Sequence, residues 1–202
     1  EVLMKKKVFI DLNGIVFEPI DTKFSEIARQ DFGPAKAMAV TMAYKYGIGR
    51  GMLKSSIARV LYKCARRPQF RPGALDALEK LAALPNVSIE FCGQIAFPEY
   101  AHSLEQEYRA IAPCMNAASH YELVSPFKSK RRYLCCATAK DADAMNYILG
   151  TQVADMSWPA KWRIIPVLIN NATQEEGKIK AMCGKRVFEN LNAFQEFLAR
   201  RR

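Results

Sequence analysis

The chain has 202 residues, half of them hydrophobic, and this length is enough for one domain with a substantial core and a small insertion. Charged residues recur throughout, which excludes the run of roughly 18 apolar residues that a membrane-spanning helix needs. We therefore expect no membrane partner. The net charge of +10 favours an anionic partner, such as a nucleotide, RNA or an acidic protein bound through a basic surface.

Cysteine and histidine usage limits the metal chemistry. The six cysteines include no CxxC pair, and the chain has two histidines, His102 and His120. Neither a zinc site nor a disulfide framework has such spacing, so we expect reduced thiols, and any metal would be a hard cation held by oxygen. The initial lysines run into Val8 without the apolar core of a signal peptide. We expect a cytoplasmic location, with processing into an organelle as the alternative.

The first predicted element is a buried strand from Val8 to Ile10, followed by the polar turn Asp11-Leu12-Asn13-Gly14. This pattern is typical of a central parallel strand, whose carboxyl end is where ligands bind. Residues from about 22 to 66 have helical apolar spacing, and the glycine-rich segment 46–51 interrupts them. We predict two helical stretches separated by a loop.

The rest of the chain alternates between helix and strand, which predicts an α/β fold with a doubly wound parallel sheet. The predicted elements are a helix from Leu75 to Ala82, a strand from Val87 to Phe91 that runs out at Cys92-Gly93-Gln94, a helix from Glu99 to Ile111, a strand from Tyr121 to Val124, a largely helical stretch from Arg131 to Leu149, a strand from Ile164 to Ile169, a helix from Lys178 to Cys183, an edge strand from Arg186 to Phe188 and a helix from Leu191 to Leu198.

Polar or small residues follow several predicted strands and converge on one edge of the sheet. They are Asp11 with Asn13, Cys92 with Gly93, Lys128 with Lys130, and Asn170 with Asn171. This layout resembles the haloacid dehalogenase superfamily, whose members place a nucleophilic Asp in a DxDG-type turn after the first strand. They place a Ser or Thr after the second strand, a Lys before the last catalytic strand, and acidic residues at its end.

One branch of that superfamily is similar over a further segment. The run from Pro72 to Leu78, leading into the strand that ends at Cys92, resembles the branch that includes the 5'(3')-deoxyribonucleotidases. That branch carries a small helical cap after the first motif. The resemblance implies a core at residues 1–17 and 71–202, with a helical cap insertion at residues 18–70.

The resemblance implies a site with altered chemistry. Asp11 matches the nucleophile, whereas Asn13 stands at the acid/base position, where an amide cannot transfer the proton. Cys92 stands at the hydroxyl position, which leaves the backbone N–H of Gly93 to bind phosphate.

The motif lysine and the metal ligands complete the site that the resemblance implies. The motif lysine is Lys130 or Lys128, with Lys161 as a third candidate. A Mg²⁺ ion held by Asp11, Asn170 and Asn171 would be bound weakly or not at all, because Mg²⁺ favours charged oxygen ligands.

Three functions remain open at this stage. The first is a hydrolase that acts on a phosphorylated small molecule or nucleotide, and the second is an inactive relative whose basic surface binds RNA or a protein. The third is a PIN-like or NYN-like nuclease, in which Asp141 and Asp143 join Asp11 in binding metal.

Overall fold

A computed structural model describes residues 4–12, 14–65, 69–94, 120–124, 143–151, 164–169 and 186–200, with the backbone alone at 21, 22, 65, 92–94 and 120–124. The strands are β1 (Lys6–Ile10), β2 (Val87–Gln94), β3 (His120–Val124), β4 (Met145–Gly150), β5 (Ile164–Ile169) and β6 (Val187–Phe188). The described helices are α1 (Ile20–Tyr46), α2 (Arg50–Ala65), α3 (Ala74–Ala82) and α4 (Leu191–Ala199).

The strands form one parallel sheet of six, in the order β3-β2-β1-β4-β5-β6. Within it β1 pairs with β2 on one side and β4 on the other, so that Ile10 is level with Phe91 and Leu149. Val8, Phe9 and Ile10 are completely buried. A strand buried on both faces is typical of a parallel sheet covered on both sides. The predicted doubly wound α/β fold is confirmed.

One face of the sheet packs against α3 and α4. Val8 and Ile10 of β1 share a buried cluster with Leu78 and Leu81 of α3 and with Phe194 of α4. The strand residues are two apart and the α3 residues three apart, which are the periods that put side chains on one face of each element. The predicted helix at Leu75 to Ala82 and the terminal helix are both confirmed.

The helical segment has a core of its own. Helices α1 and α2 pack together and bury a second cluster that includes Phe24, Val40, Ile57 and Leu61. The buried members of this cluster lie between Ile20 and Cys64, whereas the first cluster contains residues from both sides of that segment. We propose that the two clusters correspond to the predicted core at 1–17 and 71–202 and the predicted cap at 18–70.

Glycine and proline shape the helical segment. Helix α1 is kinked at Gly33, which has φ 73° and ψ 169° and precedes Pro34. The predicted break at residues 46–51 is confirmed, because α1 ends at Tyr46 and Gly47 closes it with φ 75°. The two helices therefore fold back on each other through a short connection.

The segments that join the two clusters lie side by side. Phe17 and Phe70 form an antiparallel bridge, and their rings are 4.7 Å apart at the centroids. The N–H of Glu18 donates to the carbonyl oxygen of Gln69 at 2.8 Å. Backbone hydrogen bonds and the ring contact thus hold the two connecting segments together.

The prediction of a largely helical stretch from Arg131 to Leu149 is wrong at its end, where β4 stands instead. Every residue of β4 except the first is buried, and the strand is paired on both sides. Pairing and burial therefore determine the conformation of residues 145–150 themselves, and these contacts outweigh local helix propensity there. Residues 131–142 lie outside the described residues, as do the predicted helices from Glu99 to Ile111 and from Lys178 to Cys183.

The strands predicted at Tyr121 to Val124, Ile164 to Ile169 and Arg186 to Phe188 are confirmed as β3, β5 and β6. Strand β2 is longer than predicted, because it continues through Cys92 and Gly93 to Gln94. Among the described helices, none has the length and apolarity needed to cross a bilayer.

Candidate active site

Asp11 is the first residue beyond β1, at the carboxyl-terminal edge of the sheet. Its N–H donates to the carbonyl oxygen of Leu149 in β4 at 3.4 Å, and the residue is partly buried. Because β1 lies between two parallel strands, both neighbours also end at this edge. Asp11 therefore presents a carboxylate at the edge where ligands bind in sheets of this class.

The turn after Asp11 is anchored in the core. The N–H groups of Val16 and Phe17 both donate to the carbonyl oxygen of Leu12, at 3.1 and 3.0 Å, and the N–H of Gly14 donates to Phe17 at 2.9 Å. Leu12, Val16 and Phe17 are almost completely buried. A side chain carried on such a support is held in position better than one on a loose loop.

The end of β4 closes against this turn. Gly14 has φ 79°, and a β-carbon on it would lie 3.0 Å from Cγ2 of Thr151, the residue after β4. Both the backbone conformation and the close approach require glycine. Thr151 is therefore a neighbour of the turn that carries Asp11.

Sequence reasoning missed Thr151 because it missed β4. The available signal was the apolar run from Tyr147 to Leu149, which ends at Gly150. Strand β4 lies between β1 and β5, so Thr151 follows the strand next to Asp11. Asn170 and Asn171, predicted to serve as metal ligands, come directly after β5 in sequence and lie outside the described residues.

The predicted phosphate-binding residues of β2 lie on the other side of β1. Phe91 is level with Ile10, so the backbone of Cys92 stands beside the end of β1. Cys92 and Gly93 also pair with Glu122 and Leu123 of β3. Glu122 was not singled out from the sequence, yet its register places it level with Cys92.

A cleft of about 220 Å³ adjoins the turn, between the N-terminal ends of α3 and α4. Ile15 lines it, together with residues 71–74 and 189–192. Nη2 of Arg71 lies 3.9 Å from Oε2 of Glu18. Asp11 does not line the cleft, which therefore neighbours the candidate site without including its carboxylate.

Solved structures of several hydrolases share this architecture. A D,D-heptose 1,7-bisphosphate phosphatase from B. bronchiseptica, in complex with magnesium and phosphate, aligns over 98% of this chain and 99% of its own, with a TM-score of 0.60 and 13% identity. A hydrolase from Pseudomonas syringae aligns over 97% and 99%, with a TM-score of 0.62 and 14% identity. An L-2-haloacid dehalogenase from Xanthobacter autotrophicus aligns over 96% and 98%, with a TM-score of 0.62 and 11% identity.

The chain has a haloacid dehalogenase-like fold. No protein-family model matches the sequence, and no curated protein matches it either. At 11–14% identity the likeness to these structures is one of fold.

The phosphatase of the same fold holds magnesium and phosphate. Within the described ranges, no group of three His, Cys, Asp or Glu side chains is placed to hold a metal ion. Asp11 contributes one carboxylate at the sheet edge, whereas Mg²⁺ favours several oxygen ligands with charged groups among them. Asn170 and Asn171, the other predicted ligands, lie outside the described residues, so the weak binding expected from the sequence stays a prediction.

Asp143 is poorly placed to bind a metal ion together with Asp11, as the nuclease hypothesis requires. It is exposed and precedes β4, so it lies at the edge of the sheet opposite Asp11. A six-residue strand separates the two edges, which corresponds to about 20 Å. Five predicted site residues lie outside the described residues, and their roles stay predictions. They are Asn13, Lys128, Lys130, Asp141 and Lys161.

Proposed function

We propose that the protein is a phosphomonoester hydrolase in which Asp11 attacks phosphorus. The observation that carries this proposal is a carboxylate at the end of an interior strand of a haloacid dehalogenase-like fold, on a turn that the core holds in place. The partly buried setting of Asp11 and the polar edge around it support a role in binding or chemistry.

The reaction would have two steps. An Asp11 carboxylate oxygen forms a bond to phosphorus, the bond from phosphorus to the ester oxygen breaks, and the alcohol leaves. Water then attacks phosphorus in the acyl-phosphate, which releases inorganic phosphate and restores the carboxylate. Asn13 cannot protonate the leaving oxygen, so that proton comes from solvent, and esters of acidic alcohols should react fastest.

The substrate is proposed from charge. The chain carries 30 Lys and Arg against 20 Asp and Glu, which favours dianionic phosphate esters, and nucleoside monophosphates are the class we propose. Lys130 or Lys128 would neutralise the phosphate, with the Gly93 N–H as a donor. Mg²⁺, where bound, would be held weakly by Asp11 with Asn170 and Asn171, and would supply additional positive charge beside the phosphate.

Turnover of p-nitrophenyl phosphate and of a nucleoside monophosphate panel, with and without Mg²⁺, tests the proposal. Asp11→Asn should abolish turnover, because an amide is too weak a nucleophile to form the intermediate. Asp76→Asn, which removes an exposed carboxylate on α3, is the matched control and should leave turnover unchanged. Equal activity of wild type and Asp11→Asn would overturn the proposal.

The same experiment addresses a second candidate, an inactive relative that binds RNA or a protein partner. Two observations favour it: the amide at position 13 and the net charge of +10. A folded wild-type protein that turns over none of the substrates would support this candidate over the hydrolase.

A further inference from the structure

The second half of α1 exposes a row of apolar side chains, and two more exposed apolar residues follow it in sequence. Met38, Met42 and Tyr46 are 70%, 42% and 67% exposed, and their spacing of four residues puts them along one face of α1. Ile48 in the connection and Met52 in the first turn of α2 are 63% and 87% exposed. We call these five residues the methionine face.

The methionine face is not the face that α1 uses for folding. Val40 and Ala43, on the opposite side of the helix, are buried in the cluster shared with α2. A helix that is apolar both toward its core and toward solvent has more apolar surface than its own packing requires. Large exposed apolar side chains that recur along one face of a helix indicate an interaction site more strongly than single scattered ones.

The stretch of sequence that contains the methionine face carries charge of one sign. No acidic residue occurs between Asp31 and Asp76, whereas nine basic residues do. These are Lys36, Lys45, Arg50, Lys54, Arg59, Lys63, Arg66, Arg67 and Arg71. Three of them, Lys45, Arg50 and Lys54, are the nearest in sequence to Tyr46 and Met52, and we call these three the basic rim.

We propose that the methionine face docks an acidic amphipathic segment of a partner protein. The partner's apolar side chains would pack on Met38, Met42 and Met52, and its carboxylates would meet the basic rim. Methionine suits this role because its unbranched, polarisable side chain adapts to differently shaped partners. The proposal is independent of the hydrolase function, because it uses no residue assigned to catalysis.

Other occupants fit the same surface less well. A second copy of the chain would bring the same basic rim against itself, and like charges oppose that contact. Membrane-surface helices favour Trp, Phe and Leu on the apolar side, whereas Met and Tyr are types that protein interfaces favour. RNA binding without sequence preference relies on several stacked aromatic rings, and the methionine face has one, Tyr46.

The test uses the full chain and a fluorescein-labelled synthetic helical peptide, with Leu at helical spacing and Glu elsewhere, followed by anisotropy. Met38→Gln with Met42→Gln should weaken binding at least about tenfold, because Gln keeps the helix but not the apolar contact. Lys45→Gln with Lys54→Gln should weaken it a few-fold and reduce its salt dependence. Met4→Gln, at a residue 56% exposed, and Lys5→Gln are matched controls that should change nothing.

Failure of the wild-type chain to bind the peptide, or equal binding by the Met38→Gln/Met42→Gln variant, would overturn the proposal. Equally strong binding of a peptide with Ser in place of Leu would also overturn it. Vesicles of equal parts phosphatidylcholine and phosphatidylserine, and poly(U) RNA, are assayed beside the peptide. Methionine-dependent binding to either of these without peptide binding would reassign the face. Asp11→Asn should bind the peptide like wild type, which separates this proposal from the hydrolase.

Discussion

Gly14 holds the turn after β1 in a left-handed conformation that residues with a β-carbon rarely adopt. In Gly14→Ala, the new β-carbon would meet Thr151 at 3.0 Å as well. We expect a loss of about 2 kcal/mol in the free energy of unfolding, measured by urea titration, from backbone strain and crowding together. Removing Cγ2 with Thr151→Ala should reduce this loss, because the crowding is then relieved.

Gly51→Ala is the matched control for that change. Gly51 lies at the start of α2 with open space where a β-carbon would stand. Alanine is favoured over glycine in a helix, so we expect unchanged or slightly higher stability. An equal loss in both variants would contradict the role assigned to the Gly14 turn.

The α1–α2 pair carries an ion-pair cluster on Asp31. The Lys63 ammonium donates to Oδ1 at 2.5 Å, and Nε of Arg59 lies 3.1 Å from Oδ2. The hydrogen bond from Lys63, with the charges of both cations, holds the pKa of Asp31 below its ordinary value of 3.8. A lowered pKa in the folded state stabilises the protein above the ordinary value, and this contribution is lost as the pH falls through the lowered pKa.

Asp31→Asn should therefore lower the thermal midpoint at neutral pH. The difference from wild type should shrink as the pH falls below 3.8 and through the lowered pKa, because the wild-type carboxyl group then becomes neutral as well. Glu26→Gln, at an exposed position of the same helix, should have little effect on the thermal midpoint at neutral or at low pH. A difference between Asp31→Asn and wild type that persists unchanged at low pH would show that charge is not the cause.

Helix α3 tests whether apolar spacing identifies the core side of an element. Leu81 is completely buried against the sheet, whereas Leu75 is only partly buried. Leu81→Ala should cost about 2–5 kcal/mol of unfolding free energy in urea titration, and Leu75→Ala clearly less. Equal losses would mean that the two positions contribute alike to the core.

The elements that were predictable from sequence are those whose local pattern agrees with their burial. The run Val8 to Ile10 is apolar and ends in a polar turn, and α3 has apolar residues at helical spacing. Strand β4 was missed because alanine and charged residues precede it, and pairing on both sides determines its conformation. The local signal, the apolar run from Tyr147 to Leu149, is too short to distinguish a strand from the end of a buried helix.

The candidate site also contains one residue that the sequence predicts and one that the structure reveals. Asp11 was predictable because it directly follows a strand that the sequence pattern identifies. Thr151 was not predictable in this way, because it follows β4, which the sequence pattern assigned to a helix. The approach of Thr151 to Gly14 joins residues far apart in sequence, and no spacing rule connects them. The order of the strands in the sheet therefore determines which residues lie beside a strand end.

The charge of the whole chain predicts how salt affects the proposed hydrolase activity. A net charge of +10 attracts phosphate dianions over distances that salt screens, with a screening length of about 8 Å at physiological ionic strength. We expect kcat/KM to fall several-fold as NaCl is raised from low to physiological levels, with kcat nearly unchanged. A kcat/KM independent of salt would contradict electrostatic attraction of the substrate.

In the proposed reaction, Asp11 carries the phosphoryl group during turnover. Acid quenching of the protein with p-nitrophenyl phosphate, followed by mass spectrometry of its peptides, tests this directly. We predict a mass increase of one phosphoryl group on the peptide containing Asp11, which is absent in Asp11→Asn and disappears in mild base. Turnover without that adduct, or an adduct that persists in Asp11→Asn, would contradict the role of Asp11 as nucleophile.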